Sequence, residues 1–386
     1  MQFNSRVTSF KQYPFAILAA KRKALLDAGR KVYDFSKGDP VEPTPAFIRA
    51  AVGKTVPEVS QYPAVKGLPE LRGAIAKYAQ RRFGVTLDPE SQILQCNGSK
   101  EAIYNLTSVV IGPESERKVV ISASPSYPVV ERSTIIFSGE LHSIPLTENN
   151  HYLIDLAEVP ESILKRTAIV WLNYPNNPTA ASCSLEYLQR QIEIAKRYDI
   201  LVCSDECYVD MYLGDRPHPS ALQVSTEGVV VFQSCSKRSG MTGYRTGFIA
   251  GDKTLLKHYL SLRDAIGTET SIFVQQAAIA AWNDDQHVAE RKAIFLEKRD
   301  FFLKFFAAEG LSWAPCDATF YIWLKTPKGL SGMEYSEALL KEGIIVTPGE
   351  YFGPGCEDRV RVALVPSIQQ SQEAVTLWKK CHSQLK

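Results

Sequence analysis

Short apolar runs alternate with amphipathic segments through the middle of the chain. The runs lie at residues 93–96, 118–122, 168–172, 200–203, 229–233 and 247–250. Apolar residues also recur at helical spacing, most clearly in residues 67–83 and 184–198. Continuous apolar strands between helices predict an α/β fold, with a mostly parallel sheet that helices cover on both faces. In such sheets, ligands bind beyond the carboxyl ends of the strands.

The pattern changes near residue 285. A long charged and aromatic helix is predicted at residues 288–309, and short strands then alternate with helices. The predicted strands are 319–324, 344–346 and 360–364, and the predicted helices are 334–342 and 369–383. We therefore predict a large domain at residues 36–285 and a small α+β domain that combines residues 286–386 with the N-terminal segment 1–35.

Composition narrows the possible classes of function. With 386 residues, of which 45% are hydrophobic and 22% charged, the chain is long enough for two folded domains. A net charge of +2 without a polybasic run argues against nucleic-acid or membrane partners. The eight cysteines form no Cys-x-x-Cys pair, which argues against disulfides and metal sites and predicts a reducing, cytoplasmic location. The N-terminus lacks the pattern of a signal peptide, and no window resembles a membrane span.

The most informative stretch follows the apolar run at residues 229–233. It contains Ser234, Ser236 and Lys237, with Arg245 a short distance beyond. A lysine amine can condense with an aldehyde, and hydroxyl groups with a guanidinium can hold a phosphate. Pyridoxal phosphate carries both an aldehyde and a phosphate. The stretch therefore favours a pyridoxal-phosphate site with Lys237 as the covalent anchor.

Other polar residues follow other predicted strands. Asp205 comes after an apolar run, where a carboxylate is costly unless it is paired, and a protonated pyridine nitrogen would be a suitable partner. Tyr208 and Asn177 could reach the ring's phenolic oxygen, and Tyr127, between two prolines, could stack on the ring. Each residue also has a purely structural interpretation, as a helix cap, a turn residue or a core tyrosine. A single cofactor would explain all of them together.

Two further groups could bind anions. Gly98, Ser99 and Lys100 open a predicted helix after the strand at residues 93–96, and helix N-termini favour anions. On its own, this turn is weak evidence for a phosphate site. Arg361 lies in an alternating segment of the small domain, and it can donate twice to a carboxylate if it faces the crevice rather than solvent.

The order of these motifs resembles that of the fold-type I pyridoxal-phosphate enzymes, specifically the class I/II aminotransferases. The resemblance rests on Asn177-Pro178-Thr179, Asp205-x-x-Tyr208, Lys237 and Arg245, and it runs from about residue 37 to about residue 364. It implies a large domain with a seven-stranded, mostly parallel sheet in an α/β/α sandwich, beside a small α+β domain. It also implies a homodimer with active sites at the interface, which moves an amino group between an amino acid and a 2-oxo acid by ping-pong transamination.

The roles known in the family transfer to matching positions of this sequence. Lys237, Asp205 and Tyr208 are implied to be catalytic. Lys237 would bond the cofactor and move the substrate proton, and Asp205 would pair with the ring nitrogen. Tyr208 and Asn177 would hold the ring's 3-oxygen, and Tyr127 would stack on the ring. The implied residues of the phosphate site are Gly98, Ser99, Lys100, Ser234, Ser236 and Arg245.

The same resemblance supplies the substrate side of the site. Gly38 matches the glycine that lines the substrate pocket, and Asn177 also borders this pocket. Arg361 matches the arginine that binds the substrate's α-carboxylate. Tyr62 matches a tyrosine that reaches the cofactor phosphate in the neighbouring subunit.

Within the class, residues 38–43, 98–101, 204–208 and 348–355 look similar to the N-succinyl-diaminopimelate aminotransferases of bacterial lysine synthesis. The predicted substrates are then N-succinyl-LL-diaminopimelate and 2-oxoglutarate, with glutamate as the amino donor. LL-diaminopimelate, alanine and aromatic aminotransferases stay open as alternatives, as does a carbon–sulfur β-lyase on the same scaffold. The candidates for binding a distal substrate carboxylate are Arg22, Lys66, Lys100 and Arg238.

Overall fold

The computed structural model describes residues 1–10 and 13–385. The helices are α1 Ser5–Thr8, α2 Pro14–Asp27, α3 Ala46–Thr55, α4 Pro69–Phe83, α5 Ser99–Val110, α6 Val129–Ile136, α7 Glu161–Leu164, α8 Leu185–Arg197, α9 Cys235–Arg238, α10 Lys253–Ile266, α11 Ile272–Trp282, α12 Gln286–Ala308, α13 Gly332–Lys341 and α14 Ile368–Leu385. The strands are β1 Tyr33–Asp34, β2 Ile93–Cys96, β3 Val119–Ser124, β4 Glu140–Pro145, β5 Thr167–Asn173, β6 Leu201–Asp205, β7 Val229–Ser234, β8 Gly247–Gly251, β9 Tyr321–Lys325, β10 Ile344–Ile345, β11 Thr347–Pro348 and β12 Arg359–Ala363.

The main sheet has seven strands in the order β2-β8-β7-β6-β5-β3-β4. Neighbouring strands from β7 to β4 run parallel, whereas β8 is antiparallel to both β7 and β2. The predicted α/β class and the mostly parallel seven-stranded sheet are confirmed. The apolar runs alone do not reveal β4, because this edge strand is largely exposed and contains no continuous apolar segment.

Helices cover both faces of this sheet. Successive residues of β7 alternate between two hydrophobic clusters: Val229 and Val231 pack on one face, and Val230 and Phe232 pack on the other. Residues of α3, α4, α8 and α11 complete the first cluster, and residues of α5, α6 and α10 complete the second. Both faces are buried, which is why the strands are continuously apolar rather than alternating.

Capping residues set the ends of the predicted helices. Ser184 precedes α8, and its hydroxyl accepts a hydrogen bond from the amide of Tyr187 at 3.2 Å. The helix α4 begins with Pro69 and is followed by Gly84, whose φ of +70° is a left-handed conformation that suits glycine. These local rules explain why both helices match the periods seen in the sequence.

A second, smaller core lies beside the main sheet. The strands β11, β12 and β9 form an antiparallel sheet, and β1 pairs in parallel with β10. Phe35, Phe302 and Trp378 lie in the same hydrophobic cluster, so the N-terminal segment packs with α12 and α14. The division of the chain near residue 285 stays a prediction. Within residues 1–10 and 13–385, no helix is long and apolar enough to cross a membrane.

Candidate active site

A cavity of about 620 Å³ lies beyond the carboxyl ends of β5, β6 and β7. The predicted site residues that line it are Gly38, Ser99, Lys100, Tyr127, Asn177, Asp205, Tyr208, Ser234, Ser236, Lys237, Arg245 and Arg361. Gly98 adjoins the cavity beside Ser99, whereas Tyr62 lies elsewhere. Strand-end placement in the sequence therefore does bring most of these groups together, whereas Gly38 and Arg361 come from outside the main sheet. The individual roles stay predictions.

Lys237 lies on the short helix α9, which follows β7 directly. The hydroxyl of Ser234 accepts from the amide of Ser236 at 3.1 Å and so caps this helix. The Lys237 amine donates to the carbonyl of Gly38. Burial lowers the pKa of Lys237 to about 8, and the nearby Asp39 carboxylate opposes this shift. A fraction of the amine is therefore neutral near neutral pH, as a nucleophile or a base requires.

Asp205 is the last residue of β6 and lines the same cavity. Its Oδ1 accepts from the amide of Cys207 at 3.1 Å. Its carbonyl accepts from the side chain of Asn173, on the neighbouring strand, at 3.0 Å. Burial raises the pKa of the Asp205 carboxyl, and no cation in the described part of the chain offsets that shift. A protonated pyridine nitrogen would supply the missing positive partner.

Arg245 lies beside the start of α5, where a phosphate would find several donors. Gly98 has a φ of +77°, and a Cβ at this position would lie 2.3 Å from Nη2 of Arg245. The backbone conformation therefore favours glycine, and any side chain here would also displace the guanidinium. Further donors that line the cavity are Ser99, Lys100, Ser234 and Ser236. Hydroxyls, a guanidinium and a helix N-terminus form a suitable phosphate site.

An amine with a lowered pKa, an unpaired carboxylate and a set of phosphate donors together fit pyridoxal phosphate. Comparison with known proteins agrees with this chemistry. The sequence model of the family described as aminotransferase class I and II matches residues 29–376. The chain belongs to this family. It is a pyridoxal-phosphate-dependent transaminase, so the predicted cofactor and reaction type are confirmed.

This aminotransferase is similar to curated proteins along nearly its whole length. It is 34% identical over 379 residues to the LL-diaminopimelate aminotransferase of Aquifex aeolicus, which covers 97% of both chains. It is 35% identical over 385 residues to LL-diaminopimelate aminotransferase 2 of a Nostoc species, again covering 97% of both. Among solved structures, substrate-bound BacF of Bacillus subtilis superposes with a TM-score of 0.93 at 28% identity, covering 99% of this chain and 98% of the other.

Arg361 of the aminotransferase is buried in the cavity wall rather than facing solvent. It lies on β12, and its Nη1 donates to Oδ1 of Asn177 at 2.7 Å. Its Nη2 donates to the carbonyl of Ser36. The rings of Tyr321 and Phe352 lie 4.3 and 4.7 Å from its guanidinium carbon. These contacts fix the orientation of the guanidinium, as recognition of a carboxylate requires.

Tyr321 is a cavity residue that the sequence does not reveal. Its hydroxyl lies 2.7 Å from the hydroxyl of Tyr208, so the Tyr208 hydroxyl is shared with a protein partner. A Cβ at Gly38 would lie 2.0 Å from the Tyr321 oxygen, which explains why this position is a glycine. Tyr321 begins β9, in the small sheet, so no strand-end rule for the large sheet could find it.

Tyr13 and Phe15 also line the cavity without having been predicted. They precede and begin α2, and their ring centroids are 5.5 Å apart. Phe15 lies 5.5 Å from the guanidinium carbon of Arg361, and Tyr13 lies 5.1 Å from the amine of Lys100. The aromatic pair flanking Pro14 was the available sequence signal, but nothing local connects it with a distant site.

Tyr62 and two of the candidates for a distal carboxylate lie apart from the cavity. Tyr62 is fully exposed, and it lines a separate cavity of about 440 Å³. Lys66 forms an ion pair with Glu90, and Arg238 forms one with Asp210. Of the remaining candidates, Lys100 lines the main cavity and Arg22 lines an adjoining one.

Proposed function

We propose that the chain is an LL-diaminopimelate aminotransferase, which exchanges the amino group of LL-diaminopimelate with 2-oxoglutarate to give glutamate, or the reverse. The observation that carries the catalytic part is that Lys237, Asp205 and Arg361 line one cavity. The substrate rests on the relatives named above, whose names specify free LL-diaminopimelate. The N-succinyl substrate expected from short segments is not supported by these relatives. Lysine synthesis in the cytoplasm is the corresponding cellular role.

Each protein group has one task in the proposed mechanism. Pyridoxal phosphate, when bound, supplies an electron-withdrawing ring that weakens the substrate's Cα–H bond. Arg361 would bind the α-carboxylate through its planar guanidinium and so orient this bond. Lys237 would remove the Cα proton and return it on the cofactor side. Asp205 would keep the ring nitrogen protonated, which maintains the electron demand of the ring.

The pKa of Lys237 suits proton transfer. Because burial lowers it to about 8, the free amine can accept a proton and can also release it close to neutral pH. The aromatic side chains of Tyr13, Phe15 and Tyr321 border the cavity and would exclude water from the reacting atoms.

We also propose that the working unit is a homodimer. Tyr62 is 100% exposed, although a tyrosine normally buries much of its ring. Its neighbours Val56 and Val59 are exposed as well, at 59% and 73%. A second copy covering this segment would bury the three side chains and could bring Tyr62 to the partner's phosphate site.

Half-reaction spectra of the cofactor-loaded enzyme test the substrate. We expect LL-diaminopimelate and L-glutamate each to convert the bound cofactor stoichiometrically from its aldehyde form to its amine form. N-succinyl-LL-diaminopimelate, alanine and phenylalanine should do so at least about tenfold more slowly. If one of these three converted the cofactor faster than LL-diaminopimelate does, that amino acid would replace LL-diaminopimelate as the proposed substrate. Release of pyruvate and ammonia from cystathionine, without the amine form, would instead indicate a β-lyase.

A further inference from the structure

A second cavity adjoins the main one and shares two charged residues with it. It has a volume of about 320 Å³, and Lys37 and Asp39 line both cavities. Arg22 and Asp34 line only the second cavity, and they approach each other to 3.4 Å. The two cavities therefore meet at a boundary that carries one positive and one negative side chain.

Gly38 connects this boundary to the catalytic lysine. Its carbonyl accepts from the amine of Lys237, and Lys37 and Asp39 are the residues on either side. The Asp39 carboxylate is oriented by Thr242, whose hydroxyl donates to Oδ1 at 2.7 Å. The Asp39 carboxylate is thus held close to the reacting centre by a side-chain hydrogen bond, and Lys37 lines the same boundary two residues earlier in the chain.

Neither Lys37 nor Asp39 forms an ion pair in the described part of the chain, although the Asp39 carboxylate acts electrostatically on the Lys237 amine. The ion pairs found among residues 1–10 and 13–385 include neither Lys37 nor Asp39, and both residues are exposed. The nearby Arg22 and Asp34 already form an ion pair with each other. A ligand group that carries both an ammonium and a carboxylate would match this boundary, because each of its charges would find the opposite sign.

We propose that Lys37 and Asp39 bind the distal amino acid group of the substrate, with Lys37 on its carboxylate and Asp39 on its ammonium. The inference rests on the proposed function, since LL-diaminopimelate carries such a zwitterionic group at the end that does not react. It also gives a physical reason against an N-succinyl substrate. Succinylation replaces the distal ammonium by a neutral amide and adds a carboxylate, which Asp39 would repel.

Three donors and two near-isosteric variants test the assignment. The donors are LL-diaminopimelate, L-2-aminopimelate, which lacks the distal ammonium, and L-lysine, which lacks the distal carboxylate. The variants are Asp39→Asn and Lys37→Met, and the matched control is Lys54→Met, an exposed lysine of α3 outside both cavities. The quantity compared is kcat/KM with 2-oxoglutarate as the acceptor.

We expect a crossed pattern. Asp39→Asn should lower kcat/KM about tenfold more for LL-diaminopimelate and L-lysine than for L-2-aminopimelate, since any effect on the Lys237 amine is common to all three donors. Lys37→Met should lower it about tenfold for LL-diaminopimelate and L-2-aminopimelate but leave L-lysine unchanged. Lys54→Met should match the wild type on all three donors. The cofactor spectrum of each variant, recorded without substrate, reports whether the catalytic centre is intact.

Other results overturn the proposal in distinguishable ways. Equal losses on all three donors, or no loss on any, would mean that Lys37 and Asp39 do not bind the distal group, while the proposed function would stand. A wild-type enzyme that prefers L-alanine to LL-diaminopimelate would overturn the proposed function and this inference together.

Discussion

Arg361 donates from Nη1 to Oδ1 of Asn177 at 2.7 Å. The two residues come from different sheets, since Arg361 lies on β12 and Asn177 follows β5. Their predicted roles also differ, because Arg361 is expected to bind the substrate carboxylate and Asn177 the cofactor oxygen. With these roles, the hydrogen bond would link substrate recognition to cofactor binding through one side-chain amide.

A double-mutant cycle should reveal this link. Arg361→Lys loses the planar fork and should lower kcat/KM about a hundredfold. Asn177→Ala should lower it about tenfold in the wild type and clearly less in the Arg361→Lys background, because the shared hydrogen bond is then already absent. Steady-state kinetics with LL-diaminopimelate and 2-oxoglutarate provide the four values. Additive effects would show that the two residues act independently.

Asp205→Asn should have opposite effects on the cofactor-free and cofactor-loaded protein. Burial raises the pKa of Asp205 above its unfolded value, so the unpaired carboxylate destabilises the cofactor-free fold once the pH exceeds the unfolded pKa. A neutral amide removes this cost and should raise the Tm of the cofactor-free form at neutral pH. It would also remove the proposed partner of the ring nitrogen, so the transamination rate should fall about a hundredfold.

Thermal unfolding with and without pyridoxal phosphate measures the first effect. Asp205→Glu serves as the control. It keeps the negative charge, so the Tm of the cofactor-free form should not rise. A lower Tm for cofactor-free Asp205→Asn would mean that the carboxylate stabilises the fold through contacts with the chain.

Much of this site follows from the sequence because strand ends are visible in it. Lys237, Asp205 and Asn177 each follow an apolar run, and parallel strands place such positions at one edge of the sheet. Tyr321 and Tyr13 could not be found in this way, since they come from the small sheet and from the N-terminal segment. Which way Arg361 faces was also beyond the pattern, because alternation in β12 does not tell the cavity side from the solvent side.

In the main sheet, too, some strands can be predicted from their own residues and others depend on contacts with distant residues. Buried strands such as β7 are continuously apolar and were predicted nearly to their ends. The edge strand β4 was missed because pairing with β3, rather than its own composition, makes it a strand.

His218 should make the protein sensitive to acid. Its side chain is buried, and its Nε2 has no hydrogen-bond partner among the residues that the structure describes. Burial lowers its pKa from 6.5 to about 4. Below the unfolded pKa of about 6.5, the unfolded chain binds a proton that the folded state does not, so stability falls as the pH drops toward 4.

The variant His218→Asn should remove this effect. Between about pH 8 and about pH 5.5, the wild type should lose about 1 kcal/mol more unfolding free energy than the variant. Denaturant titrations at the two pH values give the difference. His258→Asn, at an exposed position of α10, should behave as the wild type does. Equal acid sensitivity in His218→Asn and the wild type would rule out His218 as the cause.

Lys237→Ala should abolish transamination while phosphate contacts from Arg245 and the start of α5 retain weak cofactor binding. Loss of both the covalent anchor and the base should lower the half-reaction rate roughly a thousandfold or more. Stopped-flow spectra with L-glutamate measure it, and added small amines should restore part of the rate. Normal turnover without added amine would remove Lys237 from its assigned role.

Tyr62→Ala should lower activity about tenfold by removing a contact with the cofactor phosphate, and heterodimers then decide whether Tyr62 acts across a dimer interface. In a heterodimer of Lys237→Ala and Tyr62→Ala chains, one site receives both defects, and the other site receives neither. This heterodimer should have about half of the wild-type activity, because one of its two sites is intact.

The control pairs Lys237→Ala with Asp205→Asn. Both of these residues line the cavity of their own chain, so each site of that heterodimer keeps a defect and no activity should return. Co-expression with two affinity tags isolates the heterodimers. If activity returns in the first heterodimer but not in the second, Tyr62 acts in the active site of the neighbouring chain. If activity returns in neither, Tyr62 acts in the active site of its own chain.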